Sequence, residues 1–318
     1  MKVFVTGGSG FVGERLIRRL KADKHEVVAL ARGSSQAEKI KAMGAQPVHG
    51  TFSNISEWET ALDGMDAVVH CAAPVEFWGK WEDFYRDTVQ ATIDLYQAAS
   101  RRKVGRFIQI SSESVIQDKL PLLDIDETAP YPSVPSSVYG RAKKETEIAL
   151  CAQPTGPVRI ILRPTFIWGK GVKALDTMAQ KVTSGEFMWI DHGQTIIEMV
   201  HVDNVVQAIV LSLGAGSDKS IYYVTDDRPM KVFDFFSALF AAAAIPIPKK
   251  NMNGKIAALA AGAIEGVWKL FGIQKSPPLS RFELAFVAQP RRYNIAKIKR
   301  ELGYSPVKTL EAGLAEMR

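Results

Sequence analysis

The chain opens on a short apolar run, KVFVT, that passes straight into GGSGFVGERL. Gly8, Gly10 and Gly13 satisfy a G-x-G-x-x-G pattern, and Gly7, Gly10 and Gly13 satisfy a G-x-x-G-x-x-G spacing. Such a pattern is weak alone. Between a buried strand and an amphipathic helix it has a mechanical meaning. One glycine makes the tight turn, a second lets backbone approach an anion, and a third lets the helix pack closely on the strand. The free N–H groups and positive end of the helix then meet the negative charge. The expected ligand is the pyrophosphate of a dinucleotide, held at Gly7, Gly10, Phe11, Val12 and Gly13.

The rest of the first half keeps the same rhythm. EVVALAR, QPVHG, DAVVHCAA, RFIQISS and VRIILRP read as further strands. Between them, SQAEKIKAMG reads as a helix ended by Gly44, and SEWETALDG as a helix with a Ser56/Glu59 capping box. FYRDTVQATIDLYQAASRR and SVYGRAKKETEIALCAQ complete the set. Alternating strands and helices predict an α/β fold: a Rossmann-type doubly wound parallel sheet with right-handed crossovers. The rhythm loosens after Pro164. The expected organisation is a nucleotide-binding domain over 1–165, rejoined by 200–225. A smaller, mainly helical substrate-binding region takes 166–199 and 226–318.

The second strand ends Ala31-Arg32 and carries no acidic residue for a ribose 2′-hydroxyl. Arg32 can instead fork onto a 2′-phosphate, so NADP is the expected cofactor and NAD the alternative. Composition narrows the field further. A net charge of +6 from scattered Lys and Arg gives nucleic-acid binding no support and suits an anionic cofactor, substrate or membrane surface. Cys71 and Cys151 form no disulfide framework or metal spacing, and Cys71 reads as a buried free thiol. MKVFVTGGSG lacks the layout of a signal peptide, so a cytoplasmic setting is expected. The most apolar stretch, 255–273, is interrupted by Glu265 and Lys269, four apart in the favourable order. It reads as an amphipathic helix packed on the protein, with a membrane surface or an apolar substrate as alternatives for its free face.

The chemistry is expected at the end of the fifth strand. Ser111 and Ser112 emerge at the carboxyl edge of the sheet, where ligands bind in such folds. Tyr139 and Lys143 lie four apart on one helical face, so an ammonium sits near a phenol and favours its ionisation. Bringing a phenol from about 10 to about 7 needs roughly 4 kcal/mol, from Lys143 and a cationic nicotinamide together. A serine hydroxyl can orient a substrate oxygen while Tyr139 exchanges a proton with it. Tyr and Lys at this spacing arise by chance in many helices. The order of glycine loop, strand-end serine and Tyr/Lys helix gives the pair its value.

TGGSGFVG, SSESV and YGRAK resemble the extended short-chain dehydrogenase/reductases, over essentially the whole chain. LRPTFIWGKG is similar to their strand beside the nicotinamide, and VHVDNVVQAIVLSL to their segment returning to the nucleotide domain. YYVTDDRPMKVFDFF and YNIAKIKRELGYSP resemble the 3β-hydroxysteroid dehydrogenase branch, and FWGKWEDFYRDTV resembles bacterial reductases of 2-alkyl-3-keto acids. The resemblance implies catalytic roles for Ser112, Tyr139 and Lys143. It implies cofactor contacts at Thr51, Phe52, Ala72, Ala73, Tyr139, Lys143 and around Arg163 and Pro164. Thr88-Val89 and Thr51-Phe52 stand where the family usually has Asn-Val and Asp-Leu.

The leading expectation is an NADP-dependent enzyme interconverting 3-hydroxy and 3-keto groups on a large apolar substrate. A nucleotide-sugar epimerase or dehydratase, or a non-catalytic NADP-binding protein, are the rivals. His201 reads as a structural histidine, since no partner ligands stand at metal spacing. Asp124, Asp126 and Glu127 suit loop solvation or dehydratase chemistry. Trp78, Trp81 and Phe84 are candidates for lining the substrate cleft or for the core. Helices flanking the sheet offer a surface for a homodimer.

Overall fold

The computed structural model describes every residue except Val75, Lys119 and Gln274. Its frame is a seven-stranded parallel sheet built from β1 (Lys2–Thr6), β2 (Glu26–Ala31), β3 (Gln46–His49), β4 (Ala67–His70), β5 (Arg106–Ile110), β6 (Val158–Pro164) and β7 (Ser220–Val224). The spatial order is β7-β6-β5-β4-β1-β2-β3. The chain therefore winds outward from β1 in one direction and from β4 in the other. The reversal between β1 and β4 opens a crevice at the carboxyl ends of the strands. Thr6 stands beside His70 across that reversal.

Strand alternation divides the core in two. Val3 and Val5 face a layer formed by Leu16, Ile17 and Leu20 of α1 (Phe11–Ala22) and Val205 and Ile209 of α5 (Val202–Ser212). Phe4 faces the opposite layer with Trp58, Leu95 and Tyr96 of α3 (Ala91–Arg101), Phe107 and Leu150. The helix Ser34–Ala42, α2, ends as read, with Gly44 at φ +80. The period-two burial of short strands and the apolar stripe of each helix account for both layers.

Three local expectations change. Residues expected as one capped helix form two 3-10 turns, Phe52–Glu57 and Glu59–Leu62. Glu59 makes no capping box; its carboxylate pairs instead with Arg101 and, at 3.0 Å, Arg102. The long helix after β4 is interrupted by a π-helical turn, Tyr85–Gln90, before α3 begins. Glu265 and Lys269 do not pair: Glu265 accepts the Arg281 N–H at 2.7 Å, and Lys269 lies over the Trp78 ring.

The second half builds its own core from Trp168, Trp189, Ile197, Met199, Phe235, Phe236, Leu239 and Phe240. Residues 200–225 contribute α5 and β7, the latter paired with β6 in the main sheet. Tyr293, Ile295, Ile298, Leu302 and Tyr304 also pack into the first core, so part of 226–318 belongs with the sheet. Arg291–Tyr293 pairs in parallel with Leu122–Ile125, a contact between segments far apart in sequence.

Gly7 and Gly13 fix the loop that joins β1 to α1. Gly7 has φ +68, and a Cβ there would lie 2.8 Å from the Ala72 nitrogen. A Cβ on Gly13 would lie 2.1 Å from the Gly7 carbonyl oxygen. Replacing Gly13 by Ala should therefore lower stability by about 2 kcal/mol. Urea unfolding monitored by circular dichroism reads this as a lower midpoint at an unchanged slope.

Candidate active site

The crevice at the end of β1 has the shape of an anion cradle. Gly7 turns in the left-handed region, Gly10 is the residue preceding α1, and no side chain caps the helix. The first helical bond runs from the Glu14 N–H to the Gly10 carbonyl, so the N–H groups of Phe11, Val12 and Gly13 stand ahead of it. Ala72 and Ala73 follow β4 on the other side, with the Ala72 N–H donated to Thr6 Oγ1 at 3.3 Å. Small residues on both walls leave backbone accessible to a pyrophosphate. The residues present fit a dinucleotide.

The outer end of the crevice is formed by β2 and β3. Arg32 is exposed directly after β2. Thr51 follows β3 and its carbonyl accepts the Trp58 indole N–H at 2.8 Å. The Phe52 ring is packed edge-on against Trp58 and His70, so it offers a ligand little beyond its backbone and rim. His70 joins Thr6 Oγ1 at 2.6 Å to Thr92 Oγ1 at 3.1 Å. Burial, aided by the Lys143 charge, pushes it down to about 3, so it is a neutral brace between β1, β4 and α3. Thr88, where the family usually has Asn, is buried in the π-helical turn with its hydroxyl unpartnered.

The helix α4 (Val138–Ala152) begins at Ser137, whose hydroxyl accepts the Gly140 N–H at 2.9 Å. A Cβ on Gly140 would lie 2.5 Å from the Ser114 carbonyl oxygen, so the helix start is pressed against the turn that follows Ser112. This brings Tyr139 to the turn that carries Ser112, whose hydroxyl acts to lower the phenol. Ser112 Oγ also accepts the Ser114 N–H at 3.2 Å. Lys143 is buried one turn on, with Nζ donating to the Ile110 carbonyl at 2.8 Å and lying 5.8 Å from the Tyr139 ring centre.

Ser111 has a different task. Its hydroxyl donates to Glu147, which is fully buried one turn beyond Lys143. Glu147 also accepts from Tyr131 at 2.7 Å and from Arg163 at 2.6 Å. Arg163 is itself buried and donates to Tyr223 at 3.0 Å. The Arg163 guanidinium is thus turned into the interior and is unavailable to a nicotinamide. Pro164, the last residue of β6, remains at the edge.

Burial pushes the Tyr139 phenol up to about 12, against the pull of the Ser112 hydrogen bond. The expected lowering rests on Lys143 together with a cationic nicotinamide; the chain by itself holds the phenol high. Burial also pulls Lys143 down to about 8, opposed by the Glu147 charge. Cys71 is a half-buried free thiol raised to about 12 by burial.

Two aromatic residues that sequence reading passed over reach the tyrosine. Phe77 lies edge-on to Tyr139 at 5.4 Å and stacks on Phe282 at 4.4 Å. Phe282 belongs to α7 (Arg281–Ala288), which packs on α6 (Gly254–Leu270). The residues singled out from sequence lie around this roof: Trp78 donates to the Ile273 carbonyl at 2.9 Å, Trp81 lies under Arg141, and Phe84 is core. Only the proximity of FW to the end of β4 could have signalled Phe77.

The remaining candidates make these contacts, and His201, read from sequence as having no partner ligands, has Asp203 and Glu316 beside it. Asp126 holds the Thr128 N–H at 2.9 Å, and Glu127 accepts the Tyr223 N–H at 2.9 Å. Asp124 pairs with Arg292. His201 starts α5 by accepting the Asp203 N–H at 3.2 Å, and burial lowers it to about 4. Its neighbours Asp203 and Glu316 form an ion-pair network with Arg15 and Lys308. Sequence reading also missed the buried Glu113, which accepts from Tyr293, and Glu198, raised to about 7 by burial.

Residues 3–224 match the model of the NAD dependent epimerase/dehydratase family, and the chain belongs to that family. It is 31% identical over 320 residues to a 4-hydroxy-2-methyl-3-oxo-4-farnesyl-3,4-dihydroquinoline-1-oxide ketoreductase of Stigmatella aurantiaca, covering 100% of this chain and 96% of the relative. It is 27% identical to a 2-alkyl-3-oxoalkanoate reductase of Stenotrophomonas maltophilia, covering 100% and 98%. A 3-beta-hydroxysteroid dehydrogenase of Mycolicibacterium neoaurum is 26% identical, covering 99% and 90%. Among solved structures, gox2253 superposes with a TM-score of 0.81 at 25% identity, covering 99% and 96%. A UDP-glucuronic acid 4-epimerase from Bacillus cereus has a TM-score of 0.76 at 19% identity, covering 99% and 97%, and shares the fold. Together the family and the relatives support NAD(P)-dependent oxidoreduction.

Removing one member of the Glu147–Arg163 pair leaves a buried charge uncompensated. Glu147→Leu should cost about 3–5 kcal/mol, and Glu147→Leu with Arg163→Met should recover much of it. Chemical unfolding of the single and double variants reads the difference.

Proposed function

We propose that this protein is an NADP-preferring reductase of a 3-keto group on a large apolar substrate. The observation that carries the reading is the aromatic roof on the proton donor. Phe77 lies edge-on to the Tyr139 ring and is backed in turn by Phe282, which stacks on it. An apolar carbonyl compound gains from such a wall, whereas a sugar diphosphate needs charged and polar groups there. The relatives named for farnesyl-quinoline, 2-alkyl-3-oxoalkanoate and hydroxysteroid chemistry support the same class.

The cofactor, when bound in the glycine-loop crevice, supplies the hydride. The chain's residues handle the oxygen. Ser112 and Tyr139 donate hydrogen bonds to the carbonyl and polarise it. A phenol pushed up to about 12 holds its proton at neutral pH, so Tyr139 is ready to act as the general acid of reduction. Lys143, charged below about 8, stabilises the phenolate left behind. Arg32 after β2 favours the 2′-phosphate of NADP.

The test is a panel of 3-keto steroids, 2-alkyl-3-keto acids, aldehydes and sugar nucleotides with NADPH or NADH, followed by nicotinamide absorbance. Consumption of NADPH with an apolar ketone is expected. Turnover of sugar nucleotides instead would establish the epimerase reading, and tight NADPH binding without turnover the non-catalytic one. Tyr139→Phe should lose at least about a hundredfold in kcat while NADPH binding stays unchanged. Full activity in that variant overturns the mechanism.

The reductive rate should also depend on pH in one direction. The protonated form of Lys143 is the active one, so kcat/KM stays high below its titration and falls as pH rises through about 8. A rate that rises with pH through that window would assign Lys143 another role.

A further inference from the structure

The helix α6 presents an outer face for which the fold supplies no cover. Ala257, Ala261 and Glu265 are buried on its inner side. On the outer side Leu259, Ala263, Gly266 and Leu270 form one stripe at steps of four, three and four residues. Ile256 and Val267 border it, and Phe271 continues it past the end of the helix. Leu259 is 77%, Leu270 79% and Phe271 72% exposed, an unusual concentration for a water-facing helix.

The outward charges of residues 249–275 have a single sign, with Asp191 of a neighbouring segment accepting the Gly254 N–H at the start of the helix. Lys255 and Lys269 lie on the adjoining row of the helix, and Lys249 and Lys275 are exposed just outside its ends. Glu265 is the one acidic residue in 249–275, and it is buried against the start of α7. Apolar side chains bordered by exposed lysines, of which Lys269 lies over the Trp78 ring, match an anionic bilayer, whose headgroups attract the ammonium groups while the stripe enters the acyl boundary. A second copy of the chain matches less well. A two-fold contact through this face sets lysines against lysines. No helix among the described residues is long and apolar enough to cross a membrane, so the contact would be a surface one.

We propose that α6 docks the protein on an anionic phospholipid surface. The docked helix is also the outer layer of the roof over Tyr139. It packs on α7, which carries Phe282, and the carbonyl of Ile273 beyond its end holds the Trp78 indole. An apolar substrate dissolved in the bilayer would then meet the roof of the cleft without crossing water. This last consequence rests on the apolar-substrate reading; the docking itself is read without turnover.

The experiment is sedimentation of the full chain with vesicles of phosphatidylcholine alone or with about a third phosphatidylglycerol. Partitioning onto the anionic vesicles should be at least about tenfold the greater, and should fall as salt is raised. Leu259→Glu with Leu270→Glu should abolish it. Lys255→Glu with Lys269→Glu should remove the preference for anionic lipid, and NADPH binding in both variants checks their folding. Wild-type protein that stays in the supernatant with both vesicle types overturns the proposal. So does undiminished binding by both double variants, or a solution dimer by light scattering that Leu259→Glu with Leu270→Glu converts to monomer. Vesicle binding without any ketone turnover would sink the substrate reading and leave the docking intact.

Discussion

A single buried carboxylate ties the catalytic helix to the sheet. Glu147 receives hydrogen bonds from the end of β5 through Ser111, from β6 through Arg163, and from the intervening loop through Tyr131. Its charge is expensive to bury alone and is tolerated because Arg163 and two hydroxyls surround it. The benefit is geometric. Tyr139, Lys143 and Glu147 follow one another at intervals of four residues on α4. Fixing Glu147 against two strand ends therefore fixes the azimuth of the helix, and with it the approach of Tyr139 to Ser112. The adjacent serines differ: Ser111 anchors the helix through Glu147, and Ser112 lies beside the start of the helix that carries Tyr139.

The parts of this arrangement that sequence reading reaches are those with local signatures. A strand, glycine loop and amphipathic helix at the start imply the crevice, because no other backbone fits Gly7 against Ala72 and Gly13 against Gly7. Tyr139 and Lys143 are readable as one face of a helix. What is not readable is long-range. Phe282 reaches Tyr139 through Phe77, across a separation that no periodicity encodes. The pairing of Leu122–Ile125 with Arg291–Tyr293 is equally remote. Local rules also mislead where tertiary partners compete. Ser56 and Glu59 have the spacing of a capping box, but Arg101 and Arg102 draw Glu59 away. Arg163 sits beside Pro164 in sequence, yet alternation along β6 sends its guanidinium to Glu147.

The same burial that builds the site sets its resting protonation state. Tyr139 is pushed up and Lys143 down because both lose water, and each shift moves its group toward the neutral form. The chain alone therefore stores a neutral phenol beside a lysine that titrates close to physiological pH. Starting from that state, donating a proton is the easier half of the chemistry. Accepting one requires prior ionisation of a phenol near 12, which a positive charge on the bound cofactor would ease. Reduced cofactor carries no such charge on its ring, and the reductive direction needs none. A neutral phenol is the form that the proposed reductive direction requires.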